Sequence, residues 1–217
     1  MFRSALICTD FSDGLQRFVD FIPDLAASGI QQLVFFYSAP LLTEREIPRV
    51  DEAAVQRARD RFAPALANIP DGMQVNIEIQ PGRVTDNILN LATQYHSDVI
   101  FLGMPTRNLL SERIFGSTTM ELAQRCATPL ITLRPHLIST YTTEELALRC
   151  QHLFRYLLLP YDGSGPAHYL IERVKRAYQK HPRPSLQRCL LYHVIAESGR
   201  RELRSPSRVT AAERELA

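Results

Sequence analysis

Apolar runs of strand length alternate with segments of helical apolar spacing throughout the first 134 residues. Continuous or alternating apolar positions predict five strands, at 4–9, 33–37, 73–79, 98–102 and 130–133. Apolar residues three or four positions apart predict four helices, at 14–27, 51–66, 84–95 and 117–125. Strands that alternate with helices need crossover connections, so this pattern predicts an open parallel five-stranded α/β sheet with helices on both faces.

The carboxyl ends of the first and fourth predicted strands are where we expect a ligand. In open parallel sheets, ligands bind beyond the carboxyl ends of the strands, near the point where the strand order reverses. The first strand ends in Thr9-Asp10 and the fourth ends before Gly103. These residues are therefore candidates for a binding site.

Part of the pattern returns later in the chain. The segment from Arg155 to Ser164 resembles the opening of the chain, and its Asp162 matches Asp10. A strand, a helix and a second strand fit this region, and the polar sequence that follows lacks strand patterning. We predict a complete domain at 1–136, a linker with a short helix at 137–153, an incomplete second repeat at 154–196 and a polar, flexible tail at 197–217.

Charge balance and cysteine spacing argue against several classes of protein. The net charge of +2, from 25 basic and 23 acidic residues, gives no large field to attract nucleic acid or a membrane surface. No apolar run approaches the roughly 20 residues that span a bilayer, so we expect a soluble, cytoplasmic protein. The four cysteines and six histidines lack metal-ligand spacing, which predicts reduced thiols and no metal site.

Two glycines thirteen positions apart mark the strongest candidate for binding chemistry. Gly103 follows the fourth predicted strand, and Gly116-Ser117-Thr118 opens the next helix. Free N–H groups at a helix start favour an anion, and glycine lets phosphate oxygens approach the backbone. A purely structural interpretation stays open, in which Gly103 ends a strand and Gly116-Ser117 caps a helix.

Four short segments recur in a characteristic order and spacing along the first domain. They are Thr9-Asp10-Phe11-Ser12, Pro81-Gly82 before a helix, Asp98-Val99-Ile100-Phe101-Leu102-Gly103, and Gly116-Ser117 before Cys126-Ala127-Thr128-Pro129-Leu130. Each segment alone is a weak signal, but taken together they resemble the universal stress protein family. The resemblance covers residues 3–134 as a whole domain and about 154–196 as half of a second, and it implies a Rossmann-like fold.

The resemblance implies a set of nucleotide-binding residues. In the ATP-binding branch of the family, two glycines three positions apart, followed after nine residues by Gly-Ser or Gly-Thr, hold the phosphates. Thr106 stands where that pattern has its second glycine, and a β-branched residue there introduces strain or a steric block unless its hydroxyl binds phosphate on a different loop path. Ala39 is expected to flank the adenine. The implied site consists of Thr9, Asp10, Ala39, Gly103, Thr106, Gly116, Ser117 and Thr118.

Several polar residues allow two interpretations. Asp10 either positions a ribose hydroxyl or a metal-bound water, or caps the following helix together with Ser12. Arg107 and Arg113 either pair with phosphates or belong to a solvated loop surface. The hydroxyl groups of Ser117 and Thr118 either bind an anion and cap the fourth helix, or act as phosphoacceptors. No neighbouring His or Lys offers a general base for the second role.

The resemblance implies a stress-response or signalling protein that binds ATP or another adenine nucleotide, with Mg²⁺ as an accompanying ion. We expect little or no turnover, at most a weak ATPase, and no catalytic residue. The alternative is a scaffold of the same fold that binds no nucleotide. A third possibility is an enzyme with one of the related nucleotidyl-transfer folds, but this sequence lacks the H-x-G-H signature of such enzymes. The resemblance also implies a homodimer that pairs through Leu130 to Leu133.

Overall fold

The computed structural model describes residues 2–42, 48–104, 116–179 and 186–193, with the backbone alone at 136 and 137. Its contacts divide the chain into two compact units, Phe2–Gln151 and one that begins at His152. In chain order the first unit contains β1 (Ser4–Cys8), a 3-10 helix (Leu15–Asp20), α1 (Ile22–Ala27), β2 (Gln32–Ala39), β3 (Leu41–Leu42), β4 (Arg49–Val50), α2 (Glu52–Phe62), a second 3-10 helix (Ala63–Leu66), β5 (Gln74–Pro81), α3 (Val84–Gln94), β6 (Val99–Gly103), α4 (Ser117–Arg125), β7 (Leu130–Leu133), α5 (Pro135–Thr140) and α6 (Thr143–Gln151).

The first unit is built on a parallel five-stranded sheet with the order β5-β2-β1-β6-β7. The chain builds outward from β1 through β2 to β5 and then crosses back to β6, so the strand order reverses between β1 and β6. This confirms the predicted parallel α/β fold. The two-residue strands β3 and β4 form a separate antiparallel ribbon that the apolar pattern did not predict.

Both faces of the sheet are buried. On one face, Leu6, Val34 and Ile100 pack with residues of α3 and α4 such as Ile88 and Leu122. On the other face, aromatic side chains meet across the sheet and its covering helices. The ring centroids of Phe18 and Phe101 are 6.4 Å apart, and those of Phe35 and Phe62 are 5.6 Å apart. Burial on both sides explains why these strands have continuous apolar sequences.

Two helical segments differ from the sequence prediction. The single helix predicted at 14–27 is a 3-10 helix followed by α1, with Phe21 between them in a non-helical conformation and Pro23 in the first turn of α1. Proline favours the first turn of a helix because it lacks an N–H group. The helix α5 was not predicted, because its six residues are too few to show a periodic pattern.

The second unit contains a strand, a helix and a strand: β8 (Tyr156–Pro160), α7 (Gly165–Gln179) and β9 (Arg188–Tyr192). The two strands are parallel and pair from Tyr156 with Arg188 to Pro160 with Tyr192. One face of this ribbon packs on α7. The apolar cluster there consists of Leu157, Leu159, Leu191, Ile171, Val174 and Leu186.

Candidate functional site

A crevice of about 390 Å³ lies at the carboxyl edge of the five-stranded sheet, where the strand order reverses. Its position matches the place that strand topology predicts for a ligand. Polar groups come from the turn after β1 and from the first turn of α4, the end of β2 contributes both hydroxyl-bearing and apolar side chains, and α3 contributes apolar groups. The lining residues are Cys8, Thr9, Asp10, Asp13, Phe36, Tyr37, Ser38, Ala39, Pro40, Leu41, Gly82, Val84, Ile88, Leu102, Gly103, Thr118 and Thr119.

The turn after β1 is held by its own side chains. The Thr9 hydroxyl accepts a hydrogen bond from the Phe11 N–H at 2.9 Å and donates one to Asp13 Oδ1 at 2.7 Å. Asp10 Oδ1 accepts from both the N–H and the hydroxyl of Ser12, at 2.8 and 2.6 Å. These bonds lie within the turn and do not cap the following 3-10 helix, whose N-cap is Gly14 without a side-chain cap bond, so the helix cap that the sequence allowed is not formed. The exposed Asp10 carboxylate lies at the rim of the crevice.

Phe11 holds this turn in an unusual backbone conformation. Its φ of 65° lies in the left-handed region, which a bulky residue rarely adopts. Its ring packs on Tyr37 and Phe62 at centroid distances of 4.8 and 5.0 Å, and the Arg61 guanidinium lies 4.8 Å from its centroid. Such packing stabilises a strained residue and fixes the direction in which the turn leaves β1.

Gly103, at the end of β6, packs directly against Asp13. A Cβ atom on Gly103 would lie 2.2 Å from the Cβ of Asp13 and 2.5 Å from its Oδ2. No side chain fits there without movement of the turn. The structural requirement for glycine at this position therefore comes from the neighbouring carboxyl group.

Asp13 is a buried acid at the bottom of the crevice, with 7% of its surface exposed. Its Oδ1 also accepts the Leu15 N–H at 2.9 Å. Burial raises the pKa of Asp13 above its ordinary value, although the bonds from Thr9 and Leu15 oppose the shift. Burial also raises the pKa of the Cys8 thiol, so Cys8 stays protonated at neutral pH.

The amino end of α4 forms the opposite side of the crevice. Gly116 is its N-cap, with φ −70° and ψ 163°, a conformation open to any residue. Thr118 and Thr119 line the crevice, and Ser117 is the first residue of the helix. The first N–H groups of a helix have no partner within the helix, so this end favours an acceptor or an anion.

Ion pairs fix α4 against α3. Glu121 of α4 accepts hydrogen bonds from Arg83 and Arg125 at 2.7 Å each, and from the buried Thr85 hydroxyl at 3.0 Å. Arg125 also pairs with Asp86 at 2.8 Å. These contacts lower the pKa of Glu121. The network holds the first turn of α4 in a fixed position relative to the sheet.

The remaining wall of the crevice follows β2 and β5. Ala39 is buried as the last residue of β2, and Leu41 and Val84 expose apolar surface at the rim. Gly82, just after β5, has φ 111°, which a side chain would disfavour. This wall gives the crevice an apolar side across from the hydroxyl groups of α4.

The structure brings together five of the eight predicted site residues: Thr9, Asp10, Ala39, Gly103 and Thr118. Gly116 and Ser117 lie at the start of α4, beside the lining residues Thr118 and Thr119. Thr106, Arg107 and Arg113 lie outside the described residues. Within the described ranges, no group of three His, Cys, Asp or Glu side chains is arranged to hold a metal ion.

Sequence reasoning missed Asp13, Tyr37 and Gly82 as lining residues. Asp13 directly follows the Thr-Asp-x-Ser segment, and the predicted sheet places the end of β1 beside Gly103. A glycine at the end of a neighbouring strand is a signal that something packs closely there. Gly82 belongs to one of the four segments that carry the family resemblance, but the sequence does not predict it as a residue of the binding site.

The part of the sequence that forms the five-stranded sheet matches a known family. The model of the universal stress protein family covers residues 1–134, more than half of the chain. The chain belongs to the universal stress protein family. Among curated proteins, comparison finds no match to it.

Comparison with solved structures finds universal stress proteins that are similar to this chain. One from Archaeoglobus fulgidus DSM 4304 is 17% identical with a TM-score of 0.55, over 96% of this chain and 74% of that one. A universal stress protein in complex with cAMP is 20% identical with a TM-score of 0.43, over 62% of this chain and 98% of its own. UspA from Lactobacillus plantarum is 18% identical with a TM-score of 0.42, over 62% and 99%. At its identity, the Archaeoglobus structure supports a common fold alone.

None of the helices that the structure describes in this universal stress protein is both long enough and apolar enough to span a bilayer. Its candidate site is the crevice between the turn after β1 and the start of α4.

Proposed function

We propose that this protein binds an adenine nucleotide, ATP in the first instance, in the crevice, and acts as a cytoplasmic stress-response or signalling module with little or no turnover. The observation that supports this most is the crevice itself, which has an apolar wall on one side and a helix start on the other. Its volume lies within the range of about 300 to 1,000 Å³ typical of small-molecule sites. Membership of the universal stress protein family agrees with this proposal.

The two sides of the crevice suit different parts of a nucleotide. Adenine is flat and mostly apolar, so we place it against Ala39 and Val84 on the wall formed by β2 and α3. Phosphates need donors, so we place them at the start of α4, where Thr118 offers a hydroxyl and free N–H groups point outward. The exposed Asp10 carboxylate at the rim faces the ribose.

Isothermal titration calorimetry on two variants of Thr118 tests this placement. Replacing Thr118 with Glu puts a negative charge where the phosphates lie, and we expect ATP affinity to fall at least tenfold. Replacing it with Gln adds similar bulk without the charge and gives the steric part of the effect. A glutamate in the first turn is compatible with the helix dipole, so loss of fold is not expected. Equal ATP affinities of the Glu and Gln variants contradict the phosphate placement.

Adenosine serves as the second ligand in the same experiment. Because it carries no phosphate, its affinity should be the same for the Glu and Gln variants. The wild-type protein is also titrated with cAMP, the ligand of one of the solved universal stress proteins. If neither ATP nor adenosine binds the wild-type protein at millimolar concentration, the proposed function is wrong.

Two observations favour the alternative of a scaffold that binds no nucleotide. The packing of Asp13 against Gly103 accounts for this glycine without a phosphate. The bonds from Ser12 account for Asp10 as a residue that holds the turn after β1. Replacing Thr106 with Gly separates the two functions, because ATP binding that appears only in this variant identifies the wild-type protein as a scaffold.

We also propose a homodimer through β7, which is an edge strand of the five-stranded sheet. The Ile100 N–H donates to Pro129 O and the Met104 N–H to Leu133 O, so alternate residues of β7 pair with β6. By this alternation the N–H of Thr132 faces the outer edge. Replacing Thr132 with Pro removes that donor, and light scattering should then show a monomer. A wild-type monomer at high concentration contradicts the dimer.

A further inference from the structure

The acid at the bottom of the crevice has no role in the proposed binding of a nucleotide. Asp13 lines the crevice, is buried, and occupies the space beside Gly103 where a side chain would lie. Gly103 in turn begins the segment that leads to α4. A phosphate held between Gly103 and the start of α4 therefore lies close to the Asp13 carboxyl group.

Among the residues that the structure describes, no positive charge pairs with Asp13. From β1 and the turn, the ionisable groups that act on it are the Asp10 carboxylate and the protonated Cys8 thiol. Arg17, on the following 3-10 helix, donates instead to the carbonyl groups of Ile138 and Tyr141. From β6 and α4, the residues that line the crevice beside it are Gly103, Thr118 and Thr119, which carry no charge. None of the ion pairs between described residues includes Asp13.

We propose that Asp13 makes anion binding in this crevice depend on proton uptake: the carboxyl group admits the phosphates of a nucleotide when it is protonated and repels them when it is ionised. This inference rests on the proposed function and adds a regulation of the same site. It makes the crevice a sensor of acidification, since the occupied state gains stability as pH falls.

The direction follows from linkage between the two equilibria. Burial already raises the pKa of Asp13, and a neighbouring phosphate raises it further because it disfavours a second negative charge. The nucleotide complex therefore binds more protons than the free protein at pH values between the two pKa values. Affinity then increases as pH falls through that window, by up to about tenfold per pH unit when one proton is taken up.

Calorimetric titrations of the full chain with ATP and with adenosine, at steps of one pH unit from 8.0 down to 4.0 in EDTA, test this regulation, because the pKa of Asp13 lies above its ordinary value of about 4. We expect the wild-type protein to bind ATP between about threefold and tenfold more tightly for each unit of acidification in the responsive range. The terminal phosphate of ATP also gains a proton near pH 6, and the variant Asp13→Asn measures that contribution. We expect a weaker pH dependence in this variant, and tighter ATP binding than wild type at pH 8.0.

Two further measurements keep the outcome decisive. Asp13→Ser is a second uncharged variant in case Asn disturbs the turn, and thermal unfolding checks the fold of both. Adenosine, which lacks phosphate, should bind the wild-type protein with nearly the same affinity at each pH.

Equal pH dependence of ATP binding in wild type and both variants overturns the role of Asp13 and leaves the proposed function intact. The same pH dependence for adenosine as for ATP also overturns it, because the proton is then not linked to phosphate. Absence of binding by wild type and variants, with either ligand at any pH, refutes the proposed function itself.

Discussion

Two parallel strand pairs, β1–β2 in the first unit and β8–β9 in the second, have the same pattern of hydrogen bonds at their ends. They differ in how much of each strand is buried. In each pair, the residue after the first strand donates its N–H to a backbone carbonyl of the second strand. In each turn, a serine N–H donates to an aspartate carboxylate two residues earlier. The matching bonds are Thr9 to Phe36 and Tyr161 to Tyr192 at the strand ends, and Ser12 to Asp10 and Ser164 to Asp162 in the turns.

Burial separates the two pairs. All five residues of β1 are buried, whereas Tyr156 and Leu158 of β8 are each 60% exposed. In the first unit the matching face is covered by α3 and α4, and the pair is flanked by β5 and β6. Within the described residues, no third strand joins β8 and β9. Local sequence is therefore enough for a parallel pair and its turn, but a core needs segments from elsewhere in the chain.

The largest expected difference is between two leucines at matching positions. Leu6 and Leu158 each occupy the third position of their strand, and Leu6 is fully buried. Replacing Leu6 with Ala should cost about 3 kcal/mol of unfolding free energy, because it removes buried contacts and leaves a cavity. Replacing Leu158 with Ala should cost well under about 1 kcal/mol, since the side chain already contacts water. Urea unfolding measures both values.

The same comparison shows whether the exposed face stays exposed in solution. If Leu158→Ala costs as much as Leu6→Ala, something covers the face of β8 in the protein as it exists. Hydrogen exchange of the β8 amides, compared with those of β1, gives an independent measure. Faster exchange in β8 agrees with the exposed ribbon.

A second contrast concerns the glycines that accompany the two turns. Replacing Gly103 with Ala should destabilise the protein by about 2 kcal/mol, because the new Cβ overlaps the Cβ of Asp13. Gly165 lies at the place in the second turn that corresponds to Asp13, and a Cβ there meets nothing within 4 Å. Gly165→Ala is therefore the matched control, with an expected effect near zero measured by the same unfolding curves.

A double-mutant cycle identifies the cause of the Gly103 effect. Because the nearest atom is the Cβ of Asp13, removing that atom with Asp13→Gly should make Gly103→Ala much less costly. We expect a coupling free energy of about 1 to 3 kcal/mol. Additive effects would mean that Gly103 is required for another reason, such as a backbone conformation of the following segment.

Much of the fold was readable from the sequence, because burial on both faces leaves continuous apolar runs such as residues 33–37. All five sheet strands and the parallel class follow from these runs and their helical spacers. The break between the 3-10 helix and α1 did not, since the apolar spacing continues across Phe21 while the backbone does not. The short ribbon of β3 and β4 has only two residues per strand, too few for a pattern.

The site was readable in part. Strand ends are predictable, so Thr9, Asp10 and Gly103 were found at one edge. Asp13 was not found, because its burial depends on contact with Gly103, ninety positions away. Long-range packing of that kind leaves no periodic signal, and an acidic residue in a turn normally indicates exposure.

A smaller effect concerns how the unfolding free energy depends on pH. The first turn contains the buried carboxyl group of Asp13, whereas the corresponding residue of the second turn is Gly165, which does not ionise. The raised pKa of Asp13 means that its stabilising contribution is present below the unfolded value of about 4 and is lost as pH rises through the folded value. Asn keeps an oxygen for the bonds from Thr9 and Leu15 but does not ionise. Asp13→Asn should therefore be more stable than wild type at pH 7.5, and the difference should shrink as pH falls to 4.

Urea unfolding at the two pH values measures this difference. The opposite result would be a variant that loses stability relative to wild type as pH rises from 4 to 7.5. It would show that hydrogen bonds stabilise the ionised Asp13 carboxylate more than burial destabilises it.

The smallest effect should come from Asp162, whose carboxylate is fully exposed. The hydroxyl and N–H of Ser164, with smaller help from His193, lower the pKa of Asp162. A lowered folded pKa stabilises the native state above the unfolded value of about 4, and this contribution is lost as pH falls through the folded value. Asp162→Asn should therefore lower the melting temperature of the second unit slightly at pH 7. The difference from wild type should shrink as pH falls below 4, and a difference that is the same at pH 7 and pH 3 would assign the effect to turn geometry instead of charge.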